Sequence, residues 1–201
     1  MPRKRKTATQ SDRRSRSKRR GRLRWVMDLS LANFRVSNEQ TTLHSPEVEH
    51  IVTQGIGRLK AGDGLEAERW FRQALVLEPD EPDLLNNLGA ALGFQGRDDE
   101  ALAIIRDVHG RFPEYLFART ALARQALLQD DLDLAADLLE PLHRRREFHV
   151  SEWNALCEIQ LSLLLLRGDR GLARAWFEMW EDSQPENPQL ETYRPYCSPG
   201  D

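Results

Sequence analysis

The sequence predicts an all-α protein in which about four helix–turn–helix units follow a basic N-terminal arm. The first observation behind this fold class is an alanine that recurs at Ala67, Ala101, Ala135 and Ala173, with spacings of 34, 34 and 38 residues. A period of this length is typical of stacked helical pairs, because a single pair cannot bury its apolar face alone. The second observation is that each alanine lies in a similar local sequence.

That local sequence has three parts. A turn sequence precedes each alanine, and a bulky apolar residue follows four positions after it, at Phe71, Ile105, Leu139 and Phe177. Two residues four apart share a helix face, so the alanine allows a neighbouring helix to approach beside the bulky side chain. Proline stands twelve positions after the alanine in three units, at Pro79, Pro113 and Pro185, whereas the third unit has Glu147. Proline cannot continue the helical hydrogen bonds and so ends the helix in those three units.

These positions resemble the tetratricopeptide repeat family, whose 34-residue unit carries W-x2-L-G-x2-Y, then A-x3-F, then P. The second unit matches best, through Leu85, Leu88, Gly89, Leu92, Ala101, Ile105 and Pro113. The resemblance spans about residues 46–187 and implies a right-handed helical superhelix. It also implies that the first helix of each unit faces the inside of the superhelix and that the second faces the outside.

Caps and turns predict where the elements begin and end. The chain divides into a disordered basic arm (1–24), a linker or short N-terminal cap (25–45), four repeats (46–187) and a C-terminal cap or tail (188–201). The predicted helix pairs are 46–60 with 65–77, 82–94 with 98–111, 115–128 with 132–145, and 151–167 with 171–182. Asn187 and Pro188 open a short closing helix that extends through Tyr193.

The net charge of -3 conceals a polarised chain. Residues 1–24 hold twelve of the 29 Lys and Arg but only one of the 32 acids, so 17 basic and 31 acidic residues remain for the rest. The arm has too little apolar content to fold alone, and its charge suits a polyanion. We predict binding through Arg3, Lys4, Arg5, Lys6, Arg13, Arg14, Arg16, Lys18, Arg19 and Arg20. Nucleic-acid or ribosome contact, a nuclear-import-like address and docking onto the protein's own acidic body remain open readings of the arm.

The family pattern places a candidate peptide-binding groove on the first helices. Its predicted residues are Val52, Ile56, Leu59, Asn86, Asn87, Ala90, Phe94, Phe117, Thr120, Arg124, Leu127, Glu158, Ser162 and Leu165. This surface is mostly apolar, and Asn87 and Arg124 are its best-placed hydrogen-bond donors. An amphipathic helix or an extended apolar segment fits such a surface better than an acidic chain terminus does.

Other classes of protein are disfavoured. The longest wholly apolar run, Leu163–Leu166, is far shorter than the ~20 residues that cross a bilayer. The five histidines lack metal-ligand spacing, and no phosphate-cradling loop or catalytic constellation appears, so we expect neither a cofactor nor an enzyme. Two cysteines forty residues apart, Cys157 and Cys197, suggest a reducing compartment. We therefore expect a cytoplasmic localisation, or a nuclear one in a eukaryote.

The sequence thus predicts a protein–protein interaction scaffold or adaptor that binds a partner helix or extended peptide in the concave groove of the repeats. The alternative is a nucleic-acid- or ribosome-associated adaptor, in which the arm binds polyanion and the repeats recruit protein. In either case we expect a monomer or a weak oligomer.

Overall fold

The computed structural model describes residues 34–39 and 44–197. The predicted basic arm, residues 25–33 and 40–43 of the predicted linker, and the last four residues lie outside the described residues.

Consecutive helices pack in pairs, as the repeat predicts. The helices are α1 (Pro46–Lys60), α2 (Gly64–Leu77), α3 (Pro82–Phe94), α4 (Asp98–Arg111), α5 (Leu116–Leu128), α6 (Leu132–Leu139), α7 (Val150–Leu166), α8 (Arg170–Ser183) and α9 (Leu190–Cys197). The pairs α1/α2, α3/α4, α5/α6 and α7/α8 form four stacked units, and α9 packs on α8 as the closing helix. The expected array of helical repeats is confirmed. No helix in the described part of the chain has both the length and the apolar content to cross a membrane.

The turns inside the units have a common backbone geometry. Gly62, Gly96 and Gly168 each have a φ near +70°, a left-handed conformation that glycine adopts without a steric penalty. In the third unit the equivalent residue is Asp130, with φ of 58°; aspartate is one of the few other residues that tolerate this region. The next residue, Asp131, then accepts a hydrogen bond from the backbone N–H of Leu134 and caps α6.

Within the first two units, a bulky side chain of the second helix lies directly on a glycine of the first. A Cβ at Gly55 would come within 2.7 Å of the Phe71 ring, and a Cβ at Gly89 within 3.2 Å of Ile105. The periodic alanine Ala67 is fully buried beside Phe71. The predicted pairing of small and bulky residues therefore sets how closely the two helices approach.

Units three and four share the largest apolar core. Trp153, Trp176 and Trp180 are fully buried there, as is Cys157. Burial raises the pKa of the Cys157 thiol well above its ordinary value, in keeping with its predicted role as a packing residue.

The third unit departs from the predicted pattern. Its second helix was expected to span 132–145, but α6 ends at Leu139 and the chain continues as a 3₁₀ turn over Glu140–Arg144. Pro141 explains the change, because it has no N–H to continue the α-helical bonding. The chain then forms a short strand, β2 (Glu147–His149), which uses the extra residues that lengthen the last alanine spacing.

The strand β2 pairs in parallel with β1 (Arg35–Ser37), in the register Arg35 with Glu147, Val36 with Phe148 and Ser37 with His149. Helical periodicity did not predict this ladder. β1 lies inside the segment expected to be a linker or short cap, and it places that segment against the last two units.

The glycine contact predicts opposite effects for two substitutions in one helix. Gly55→Ala should lower the free energy of unfolding by about 1 to 3 kcal/mol, because the new methyl overlaps the buried Phe71 ring. Gly57→Ala should raise it by about 0.5 to 1 kcal/mol, since its Cβ meets nothing within 4 Å and alanine favours the helix. Urea titration of both variants measures the difference; equal effects would contradict the packing described.

Candidate peptide-binding surface

A cavity of about 520 Å³ opens on the first helices of the array. Residues from the predicted groove that line it are Val52, Ile56, Leu59, Asn86, Asn87 and Phe117. These side chains come from α1, α3 and α5, so the structure brings the first helices of three successive units to one cavity.

The cavity has an apolar floor. Val52 is buried, while Ile56, Leu59 and Phe117 are half-buried and keep part of their apolar surface accessible. Ile56 and Leu59 pack against the clusters of the first two units, and Phe117 packs against the core of the last two. The floor therefore crosses the junctions between units instead of lying within one of them.

Two carboxamides supply free hydrogen-bonding capacity. Asn86 and Asn87 are half-buried on α3, and their side chains make no hydrogen bond with any residue that the structure describes. A carboxamide offers two N–H donors and a carbonyl acceptor, which is the complement of a peptide group. Polar groups of this kind beside apolar walls can fix the orientation of an extended ligand.

The rim of the cavity was not predicted. It consists of His44, Glu49, Lys60, Asp83, Tyr115, His149, Ser151 and Glu152. Most of these residues lie at or just before the start of a first helix, whereas the family pattern pointed to positions further along those helices. These rim residues could have been predicted from the sequence by taking the first turn of each first helix as part of the site.

Ion pairs and hydrogen bonds fix much of this rim. The Tyr115 hydroxyl donates to Asp83 at 2.6 Å, which links the starts of α5 and α3. Burial, reinforced by the Asp83 charge, raises the pKa of Tyr115, so the phenol stays protonated and acts as a donor. Glu152 accepts two hydrogen bonds of 2.9 Å from Arg145. These carboxylates thus already have partners within the fold.

His44 lines the cavity and is held there by Glu78 of the first unit. Its Nδ1 lies 2.6 Å from Glu78, and the backbone N–H of Ser45 donates to the same carboxylate at 3.1 Å. The Ser45 and His44 hydrogen bonds hold the pKa of Glu78 below its ordinary value. Glu78 therefore ties the end of α2 to the residues that precede α1.

The C-terminal part of the predicted groove is largely engaged by the protein itself. Arg124 forms an ion pair with Glu158 at 3.0 Å, across α5 and α7. The Tyr193 hydroxyl of α9 lies 3.1 Å from that of Ser162 and donates to the Glu158 carbonyl at 3.2 Å. The closing helix thus lies over this end of the groove.

The remaining predicted residues are dispersed. Thr120 is buried, and its hydroxyl donates to carbonyls of its own helix, so its side chain does not face the cavity. Leu127 is half-buried against the core, and Leu165 lines a separate cavity of about 630 Å³ beside α9. Ala90 is exposed, as is Phe94, which retains 61% of its accessible surface.

Known proteins are similar to this chain in sequence and in fold. The mouse protein named tetratricopeptide repeat protein 36 is 27% identical over 151 residues, which cover 68% of this chain and 81% of the relative. A solved structure of a MamA RS-1 double mutant superposes with a TM-score of 0.50 at 16% identity, over 75% of this chain and 83% of that one. This chain has the tetratricopeptide repeat fold.

A second solved structure, MamA from Desulfovibrio magneticus RS-1, superposes with a TM-score of 0.49 at 17% identity and covers the same shares of the two chains. No protein-family model matches the sequence. The tetratricopeptide resemblance inferred from the periodic alanines is confirmed.

The Glu78 contacts predict a pH-dependent stability. Because the folded pKa of Glu78 is lowered, its stabilisation is present above the unfolded pKa of about 4.3 and is lost as the pH falls through the folded value. The unfolding free energies of wild type and Glu78→Gln should therefore differ more at pH 7 than at pH 3. The exposed Glu186, changed to Gln, is the matched control; a Glu78 effect independent of pH would contradict this role.

Proposed function

We propose that the cavity on α1, α3 and α5 binds an extended segment or helix of a partner protein, so that the repeats act as an interaction scaffold. The observation that carries this proposal is the pair of carboxamides, Asn86 and Asn87, which lack partners among the described residues and line an apolar cavity. A bound backbone would satisfy them while its side chains cover Ile56 and Leu59. The engaged end of the groove, at Arg124 and Glu158, contributes less.

The proposal predicts that Asn86→Ala combined with Asn87→Ala weakens partner binding. Each lost hydrogen bond is worth about 1 kcal/mol, so together they should lower affinity about tenfold or more. The measurement is quantitative affinity capture from native lysate, followed by titration of the captured protein.

The matched control replaces two exposed amides away from the cavity, Gln73→Ala with Gln129→Ala. Both double variants should retain wild-type helical circular dichroism. If both double variants lose the partner to the same extent, or if both retain it, the cavity is not the binding site.

We keep a second candidate function because of the charge of the arm: twelve basic residues and one acid in residues 1–24. In this candidate the arm binds nucleic acid or the ribosome, and the repeats recruit protein. Such binding would be independent of sequence and would weaken steeply with salt, since it releases counterions from phosphates.

The arm hypothesis predicts that deletion of residues 1–24 abolishes a gel shift of RNA or DNA at low salt. The full chain should lose its shift progressively as salt is raised. Circular dichroism of the deleted chain serves as the folding control. A shift of undiminished strength in the deleted, folded chain would overturn the polyanion role of the arm.

A further inference from the structure

The parallel pair β1/β2 resembles a peptide bound to a protein edge more than a part of the repeat array. β2 presents its backbone to β1, and the Arg35 N–H donates to the Arg146 carbonyl at 2.8 Å. The next helix after β1 in the chain is α1, which packs in the first unit, whereas β1 lies against α7 near the fourth. The segment 34–37 is therefore held by a region remote from its own sequence neighbours.

The side chains of this segment have a receptor-like surface to contact. The Phe34 ring lies on Trp153 with centroids 4.5 Å apart and meets Phe148 edge-on at 6.5 Å. Trp153 and Phe148 are almost fully buried with Phe34 in place, and they pack together with ring centroids 5.3 Å apart. Aromatic pairs in such geometries stabilise by more than the burial of their area alone, which favours an aromatic residue at this position.

Side chains alternate between the two sides of a strand, and this alternation explains which residues of segment 34–37 face α8. Phe34 and Val36 point to the same side, where both line a cavity of about 600 Å³ with Ala175, Met179 and Ser183 of α8. Asp182 also borders this cavity, as does Glu178, which forms an ion pair with Arg174 at 2.7 Å. On the ladder itself, Arg35 lies 3.6 Å from Glu147. The surface thus favours an aromatic residue, then a basic one, then a β-branched one.

The residues that contact segment 34–37 all lie between Arg146 and Ser183, so they come from one continuous stretch of the chain. Addition of an extended peptide to a strand edge is a general recognition mode, in which main-chain bonds give affinity and alternate side chains give specificity.

We propose that β2, the aromatic wall and the adjoining face of α8 form a peptide-binding site for extended partner segments with an aromatic–basic–β-branched sequence. Residues 34–37 fill this site in cis. Because the resident segment is tethered, a partner segment must compete with it. The site stands on these contacts alone and does not depend on binding in the concave cavity.

The test is the binding of a fluorescent peptide that reproduces residues 32–39, which has no net charge. It is titrated into the full chain and into full-chain Phe34→Ala, which weakens the resident strand, with fluorescence anisotropy as the readout. The peptide should bind Phe34→Ala at least about tenfold more tightly than wild type, because the tethered competitor is weakened. Arg35→Pro, which removes the Arg35 N–H, provides a second way to release the strand and should have the same effect.

Two controls test whether the effect is specific to this site. Phe94→Ala makes the same substitution at an exposed phenylalanine that does not contact segment 34–37, and it should leave peptide binding as in wild type. A peptide with alanine in place of its phenylalanine should not bind Phe34→Ala. Three results would overturn the proposal. They are equal binding of the peptide to wild type and to both released variants, equal binding of the two peptides, and no binding to either released variant.

Discussion

In the first two units, the contact between a glycine of the first helix and a bulky side chain of the second is the constraint on which the cavity depends. Phe71 on Gly55 and Ile105 on Gly89 fix how closely the helices of the first two units approach. That spacing directs the first helices of successive units to one side, where their exposed faces form a continuous apolar floor. The cavity with Asn86 and Asn87 follows from this packing, and no single unit could form it.

The last two units depart from the repeat pattern. The strand β2 that they add holds a segment that lies outside the repeats. Pro141 ends α6 early, and the longer connection that follows supplies β2. β2 holds the segment 34–37, while Glu78 of the first unit holds His44 a few residues later. The chain before α1 therefore connects the far end of the array to its beginning and contributes to the rim of the cavity. At the other end, Tyr193 covers Glu158 and Ser162.

Local signals predicted most of the helices. Pro46 and Pro82 each begin a helix where the sequence placed it, since a proline fits the first turn and little else in a helix. The ladder was missed because three-residue strands carry no measurable periodicity, and their pairing joins residues distant in sequence. Among the predicted groove residues, Thr120 is buried with its hydroxyl bonded to its own helix, and Arg124 forms an ion pair with Glu158. Side-chain pairings of this kind depend on the packed structure and cannot be read from a repeat pattern.

Hydrogen–deuterium exchange of the full chain, with and without a protein partner captured by it, tests the central claim most directly. If the first helices form the binding surface, a partner should slow amide exchange in segments 46–60 and 82–94 and at the start of α5, and should leave α2 and α4 unchanged. Slower exchange confined to the outer helices α2 and α4, with no change in α1 and α3, would contradict the account.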